Sequence, residues 1–365
     1  MKKIFISAGD PSGDIHAANL MKQIIKLAPE VEFVGIGGKN MTEAGLKSLI
    51  PISEISVLGF WEVAKKYFTF IDLLNKCKEI LKNDKIDLFL PIDYPGLNLK
   101  IAEYAKSISI PVVYYIAPQL WAWGKNRTKK IAQNVDKLLV VFPFEEEFFQ
   151  KDGINAIYVG NPLLDIDEFK DDFLARNDRK NTIAIFPGSR EQEINKHLNF
   201  LVDTAEILHN IYPNYNFIIG KSNNISENKY NNILSKYKYI YLSENTREIM
   251  KYSKVGIIKS GTSNLEACLA GLPFSLIYKT SPMTYFIGKR KINMPYLSIV
   301  NILANKRVVN EFIQNDATPE NLANNTAELL NSNDKYNNMQ SEFKKIRDIL
   351  GITSASATAA KIILS

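Results

Sequence analysis

Residues 88–98 read L-F-L-P-I-D-Y-P-G-L-N, an apolar run that ends abruptly in a carboxylate. Asp93, flanked by Pro91 and Pro95, stands at the exit of what reads as a buried strand. An acid placed there, between two prolines that hold it rigid, raises the question of what chemistry or structure it serves. The plainer reading is a turn-forming or helix-capping Asp.

Two later loops have the character of anion sites. F-P-G-S-R-E-Q-E-I (186–194) runs from strand to helix, with Ser189 as the expected cap and Gln192 completing a capping box. It puts Arg190 at a helix N-terminus, where the macrodipole disfavours a cation unless an anion is bound. K-S-G-T-S-N-L-E-A (259–267) places Ser260, Gly261 and Thr262 where backbone amides cradle phosphate. Glu266, about one turn into the following helix, would accept both hydroxyls of a ribose. Together the loops point to a nucleoside diphosphate. Walker A and G-x-G-x-x-G patterns are absent, and G-I-G-G-K-N-M (35–41) fails the spacing.

A third loop, S-A-G-D-P-S-G-D-I-H-A (7–17), has no cation and suits a neutral polyol. Gly9 and Gly13 allow close backbone approach, Ser12 or Asp14 would cap the helix, and His16 reads as a helix-face residue. D-I-D at 165–167 lacks a preceding strand and reads as coincidence. Two cysteines and three histidines supply neither a disulfide framework nor a zinc cluster, and no cofactor is expected.

A-P-Q-L-W-A-W-G-K-N-R-T-K-K (117–130) sets Trp121 and Trp123 beside Lys125, Arg127, Lys129 and Lys130. Rings beside cations suit an anionic lipid surface; no nucleic-acid module accompanies them. In 55–74, Phe60, Val63, Ala64, Tyr67, Phe68 and Ile71 form one helical stripe, with Trp61 and Phe70 outside it. Lipid contact and ordinary core packing are the competing readings.

The elements that must carry these loops form an α/β pattern. Short apolar runs at 4–8, 33–36, 86–92, 112–116, 138–142 and 157–159 alternate with helix-length amphipathic stretches. A second set follows at 183–186, 217–219, 240–242, 255–258 and 274–278. Each set predicts a doubly wound Rossmann-like domain, the two facing across a cleft with ligands beyond the carboxyl ends of the strands. The expected divisions are 1–165, a linker at 166–181, 182–335, and C-terminal helices at 336–365 that would pack back on the first domain.

Charge is uneven: residues 1–175 hold 21 Lys+Arg against 23 Asp+Glu, and the remainder 24 against 16. A basic second half suits a phosphate-bearing ligand, though a solvated surface would look the same. No apolar run reaches the ~18–20 residues of a membrane span, and Gly9 and Asp10 interrupt a signal-like start. The expected compartment is the cytoplasm.

In order along the chain, S-A-G-D-P-S-G-D, F-V-G-I-G-G, L-G-F-W-E-V, L-P-I-D-Y-P, Y-I-A-P-Q-L-W-A-W, F-P-F-E, V-G-N-P-L, P-G-S-R-x-x-E-I, S-G-T-S-N-L-E and V-N-I-L-A-N resemble the lipid-A-disaccharide synthase family. The resemblance implies a two-Rossmann GT-B fold and an inverting, metal-free glycosyl transfer. UDP-2,3-diacylglucosamine would be the donor and 2,3-diacylglucosamine 1-phosphate (lipid X) the acceptor, with a β-1,6-linked disaccharide phosphate and UDP as products. By the match, Asp93 and Arg190 are catalytic, while Ser189, Arg190, Ser260, Gly261, Thr262 and Glu266 hold UDP. Gly9, Ser12, Gly13, Asp14, Asn98 and Asn301 fall on the acceptor and cleft side. Phe60, Trp61, Phe68, Trp121, Trp123, Lys125, Arg127 and Lys129 would meet the inner face of the cytoplasmic membrane as a peripheral contact. No nucleic-acid partner is expected, and a homodimer stays open. Three positions depart from the family's common pattern: Gly96 for a second acid, Asn161 for a histidine, and Lys259 for a small residue. A UDP-sugar 2-epimerase, another UDP-sugar transferase and a non-catalytic two-lobed binding protein are the alternatives.

Overall fold

The computed structural model describes residues 3–51, 63–124, 127–170, 172–176, 178–222, 225–281, 283, 285, 286, 288, 294–351 and 354–365, with the side chains at 50, 51, 63–69 and 123 outside that description. The chain divides into two compact units, residues 1–165 with 350–365, and residues 166–349.

The first unit is a seven-stranded sheet in the order β3-β2-β1-β4-β5-β6-β7. Its strands are β1 (Lys3–Ala8), β2 (Glu32–Gly37), β3 (Leu46–Pro51), β4 (Leu88–Ile92), β5 (Val113–Tyr115), β6 (Lys137–Val140) and β7 (Ala156–Tyr158). Every pairing is parallel, so all the strand exits lie on one edge. All five residues of β4 are buried, as a strand covered on both faces requires. Pro91 lies inside this central strand, where a residue without an N–H weakens a ladder. Pairing to β5 is correspondingly sparse, with Ile92 opposite Tyr115 and one bridge from Phe89 to Val112.

The helix Pro11–Leu27 covers this sheet with Ala17, Leu20, Met21 and Ile24, an i, i+3, i+4 stripe. The last helix, Ala355–Leu364, packs against it. Its cap is Ser354, whose hydroxyl accepts from the amide of Ala357. The longer helix before it, Asn333–Ile349, belongs to the second unit.

The second unit is a six-stranded sheet in the order β10-β9-β8-β11-β12-β13. It comprises β8 (Lys180–Phe186), β9 (Asn216–Gly220), β10 (Ile240–Ser243), β11 (Ser253–Lys259), β12 (Phe274–Tyr278) and β13 (Glu311–Ile313). These pairings are parallel as well. The helix Glu191–Ile211 follows β8 and buries Ile194, His197, Leu198, Leu201, Val202 and Ala205. Both sheets are α/β and doubly wound, as the sequence pattern predicts. Strands β3 and β13 are additions to it, an edge strand reading L-K-S-L-I-P and an edge strand of three residues.

Strand order reverses direction at β1/β4 in the first sheet and at β8/β11 in the second. In open α/β sheets the crevice for ligands opens at such switch points, beyond the carboxyl ends of the strands.

Candidate functional site

In the first unit the loops at the switch point are Gly9–Asp10, after β1, and Asp93–Tyr94, after β4. Both Asp93 and Tyr94 are left-handed, with φ of 44° and 50°. Two consecutive non-glycine residues in that region store strain that the surroundings must offset. The offset is visible in the hydrogen bonds. The carbonyl oxygen of Asp93 accepts from Asn98 Nδ2 at 2.7 Å and from the Tyr114 hydroxyl at 2.6 Å. Its amide donates to the carbonyl of Tyr115 at 3.1 Å.

Asn98 is fully buried and has no capacity left for a ligand. Its Oδ1 accepts from Ser7 Oγ at 2.7 Å, and its Nδ2 also faces the carbonyls of Ser7 and Ile92 at 3.3 Å. The expectation that Asn98 orients an acceptor is therefore corrected: its side chain is used up in holding the turn that presents Asp93.

The carboxyl of Asp93 is half-buried. Burial pushes its pKa up to about 6, the charge of Asp10 adds to the rise, and the backbone hydrogen bond at Tyr94 opposes it. Asp93 is thus an acid that ionises close to neutrality at the mouth of a sheet crevice.

Several expectations for the first loop are corrected. The helix begins at Pro11, so its cap is Asp10, whose carboxylate accepts from the amide of Gly13 at 2.6 Å. Asp14 lies inside the helix and is buried. Its two oxygens accept from the amides of Gly38, Asn40 and Met41 and from Asn40 Nδ2, at 2.7–3.1 Å. That carboxylate fixes the start of the helix Lys39–Glu43 rather than meeting a polyol. Gly9 does permit a close approach, but by the chain's own Tyr94: a Cβ there would lie 2.2 Å from the Tyr94 ring. Ser12 Oγ lies 3.3 Å from His16 Nε2.

One acid has no counterpart among the expected site residues. Glu145, in F-P-F-E, is fully buried at the third position of the helix Pro143–Gln150. Trp121 Nε1 donates to its Oε1 at 2.8 Å, and the amides of Val141 and Phe142 donate to its Oε2 at 3.1 and 3.0 Å. Burial pushes its pKa up to about 7 against those bonds, with the charge of Asp93 adding to the rise. Pro at the first helical position with Glu two residues on is the signal that would have found it.

Trp121 is accordingly half-buried, its N–H bound to Glu145 and its ring edge-on to Phe144 at 5.0 Å. Its N–H is thus committed to the protein, and only the exposed part of its ring is left for the expected membrane contact. Arg127 and Lys129 are exposed. Phe60, Trp61 and Lys125, and the side chains of Phe68 and Trp123, lie outside the described residues. Asn161 is buried, donating to the carbonyl of Val141 and accepting from the amide of Leu163.

In the second unit the loops flanking the switch point are the two anion-type stretches. The helix after β8 starts at Glu191, so Arg190 takes the cap position. The expected Ser189–Gln192 box is replaced by Glu193, whose Oε2 accepts from the amides of Ser189 and Arg190 at 2.9 and 3.3 Å. Its Oε1 binds Lys259 Nζ at 2.7 Å, so one carboxylate ties the loop after β8 to the end of β11. Burial opposes ionisation of Glu193, but Lys259 and these amides hold its pKa below the ordinary value. Arg190 reaches Glu193 only at 3.4 Å, and its side chain is 81% exposed.

Gly261 is the cap position of the helix Thr262–Leu269, with Ser260 half-buried and Thr262 exposed. Glu266 is half-buried one turn in. Burial raises its pKa, Arg247 at 3.7 Å lowers it and Glu168 raises it. Arg190, Lys221 and Lys279 follow the ends of β8, β9 and β12 and Lys259 is the last residue of β11, so one edge of this sheet gathers these four cations among the described residues. Lys221 is paired with Glu244 and Lys259 with Glu193, whereas Arg190 is extended toward solvent. An edge of this kind, with the amides of Gly261 and Thr262 at one helix start, fits a diphosphate.

Asn301, expected beside the cleft, is fully buried. Its Oδ1 accepts from the amides of Val308 and Val309, and its Nδ2 donates to the carbonyl of Val309 and to Glu311, at 2.7–2.9 Å. It stabilises the loop before β13 and leaves no donor or acceptor for a ligand. Among the described residues no cluster of three or more His, Cys, Asp or Glu could hold a metal ion.

Comparison with known proteins joins these loops to one family. Residues 4–363 match the family model described as lipid-A-disaccharide synthetase. The lipid-A-disaccharide synthase of Persephonella marina is 36% identical over 381 residues, spanning all of this chain and 98% of that protein. The one from Geobacter metallireducens is 34% identical over 371 residues, spanning all of this chain and 97% of that protein. Among solved structures, Staphylococcus aureus MnaA with UDP superposes with a TM-score of 0.66 at 14% identity, covering 100% of this chain and 95% of that one. The UDP-GlcNAc 2-epimerase of Neisseria meningitidis superposes with a TM-score of 0.63 at 15% identity, covering 99% and 97%. At such identities the structures speak to the fold alone.

Proposed function

The chain belongs to the lipid-A-disaccharide synthetase family, whose activity is lipid A disaccharide synthesis, and from that premise we propose the reaction and the roles of its residues. The donor is UDP-2,3-diacylglucosamine and the acceptor is 2,3-diacylglucosamine 1-phosphate. The acceptor's 6-hydroxyl oxygen bonds to the anomeric carbon as the bond from that carbon to the UDP oxygen breaks, with inversion. Asp93 takes the hydroxyl proton, and the products are the β-1,6-linked disaccharide 1-phosphate and UDP.

The observation that carries this reading is the state of Asp93. A base must be ionised before the reaction yet basic enough to accept a proton during it, and a pKa near the working pH serves both. In the second unit, Arg190, the hydroxyls of Ser189 and Ser260 and the amides of Gly261 and Thr262 receive the charge that develops on the departing UDP; the amides of Ser189 and Arg190 are given to Glu193 and that of Ser260 to the carbonyl of Ile277. Such electrostatic stabilisation is worth ~3–4 kcal/mol per donor. Glu266 is the residue proposed for the ribose hydroxyls.

Acylated substrates require work at a lipid surface. No helix among the described residues is long and apolar enough to cross a membrane. We place the protein peripherally on the inner face of the cytoplasmic membrane, with the exposed Arg127 and Lys129 toward anionic headgroups.

The test is an assay in detergent micelles with UDP-2,3-diacylglucosamine and radiolabelled 2,3-diacylglucosamine 1-phosphate, with Asp93→Ala and Arg190→Ala alongside. A labelled disaccharide phosphate, slowed at least ~10²-fold in a folded Asp93→Ala, supports both the reaction and the base. Undiminished product in that variant removes Asp93 from the role. UDP-sugar bound without product would point instead to a 2-epimerase.

A further inference from the structure

We propose that His197 is a positioning residue that joins the loops after β8 and β12 beside the diphosphate, and that it takes up a proton when the donor binds. This rests on the reading of the second unit as the UDP-sugar site.

His197 lies in the second turn of the helix Glu191–Ile211 and is 1% exposed. Its Nδ1 is 2.6 Å from the carbonyl oxygen of Pro187, and its Nε2 is 3.0 Å from the carbonyl oxygen of Lys279. Both partners can only accept. A neutral imidazole carries one N–H, so it satisfies one carbonyl and turns a lone pair toward the other; the imidazolium donates to both. Pro187 immediately precedes Gly188, Ser189 and Arg190, and Lys279 immediately follows β12. One side chain thus spans two loops of the cationic edge, and the span is complete only in the doubly protonated form.

Without a ligand the balance favours the neutral ring. Burial holds its pKa below the ordinary value, the two carbonyl bonds oppose that, Lys259 lowers it further and Glu193 raises it. Among the described residues, these are the charged groups facing it. The ammonium of Lys279 is drawn off to the carbonyl of Ala317 and over the Phe200 ring, which itself meets the imidazole edge-on at 5.9 Å. Lys196, next in the helix, is exposed. A diphosphate at this edge brings negative charge that offsets Lys259 and favours the imidazolium. Donor binding and protonation then assist each other by the same factor. Donor affinity therefore rises as the pH falls toward and below the ordinary histidine range.

The experiment is titration calorimetry of the full chain with UDP-2,3-diacylglucosamine in micelles, between about pH 6 and 8.5. That donor's diphosphate is a diester and does not itself take up a proton there. Runs in two buffers of different ionisation enthalpy count the protons bound. Wild type should take up a fraction of a proton near pH 6.5 and none at pH 8.5. At half a proton, affinity changes about threefold per pH unit. His197→Gln, which keeps an N–H donor but cannot titrate, should bind without uptake. Wild-type binding with no uptake, or uptake that persists in His197→Gln, overturns the proposal. Asp93 near 6 and Glu145 near 7 also titrate in this window, so if the glutamine variant does not fold, His197→Asn is the second variant on which uptake must vanish. No binding at all removes the donor-site reading and this inference with it.

Discussion

Asn98 Nδ2 donates to the carbonyl oxygen of Asp93 at 2.7 Å, and its Oδ1 accepts from Ser7 on the neighbouring strand. The proposed base is therefore held from behind by an amide that never needs to touch substrate. With φ of 44° and 50° at residues 93 and 94, the turn has no local preference for its own shape. Asn98→Ala should cost about 1–3 kcal/mol, since it leaves buried polar groups unpaired. In the fraction that stays folded, kcat should fall by about 10²-fold with little change in KM. Urea unfolding and steady-state kinetics on one preparation check both. A folded variant with unchanged kcat would remove Asn98 from the positioning role.

With Asp93 as the proposed base, its ionisation near pH 6 should set the acid side of the rate profile. Only the carboxylate can act as base, so kcat/KM should fall about tenfold per unit below that pH and level off above it. Stability moves the opposite way. The folded carboxyl binds protons more tightly than its ordinary value of 3.8 allows, so between that value and about 6 the native state holds more protons. Stability is present at low pH and declines as the pH rises through that window. Asp93→Asn should thus be inactive yet melt higher than wild type at pH 7, which differential scanning calorimetry reads directly.

Glu145 is the acceptor for Trp121 Nε1 and for the amides of Val141 and Phe142. Glu145→Ala strips three buried donors of their partner at once and should cost about 3–5 kcal/mol. Trp121→Phe removes one donor and should cost about 1–2 kcal/mol. Because burial pushes Glu145 up to about 7 from 4.5, wild-type stability should also decline from pH 4.5 to 7. Glu145→Gln should flatten that decline in chemical denaturation series across pH. A decline unchanged in Glu145→Gln would assign it elsewhere.

Arg190 and Lys259 should separate cleanly. Arg190 is 81% exposed, so Arg190→Ala should shift stability by no more than ~0.5 kcal/mol while lowering kcat by ~10²–10³. Lys259 binds Glu193 at 2.7 Å with side-chain exposures of 18% and 15%. Lys259→Met leaves that acid without its cation and should cost about 1–2 kcal/mol as well as weakening UDP affinity. Thermal melts with and without UDP test the pair, and an unstable Arg190→Ala would overturn the first half.

How legible this was depended on whether a signal was local. Strands buried on both faces, such as β4, are continuous apolar runs and stand out. Strand β3 reads L-K-S-L-I-P and β13 is three half-buried residues, so neither carries such a run. Asp93 was recognisable because an acid closed an apolar strand between prolines. Asn98 and Asn301 fall on the ligand side only by the family match; both lie in helices, and an Asn in the sequence gives no hint of its partners. Ser7 is 91 positions from Asn98, and only the fold brings them together. The caps failed by small offsets: Asp10 rather than Ser12 or Asp14, and Glu193 rather than Gln192. Which polar residue caps a helix depends on where the first turn starts, and neighbouring candidates have similar propensity.

Glu193 serves the amides of Ser189 and Arg190 with one oxygen and Lys259 with the other, so these positions cannot drift independently. Replacing Lys259 by a small neutral residue strands an acid beside an arriving diphosphate; replacing Glu193 alone frees a lysine and loosens the turn before Arg190. Either change should be harmful singly and milder when the other accompanies it, a sign epistasis that a double-mutant comparison would register. The loop after β8 and the end of β11 are on this account a single electrostatic unit, whose charge balance neither residue keeps alone.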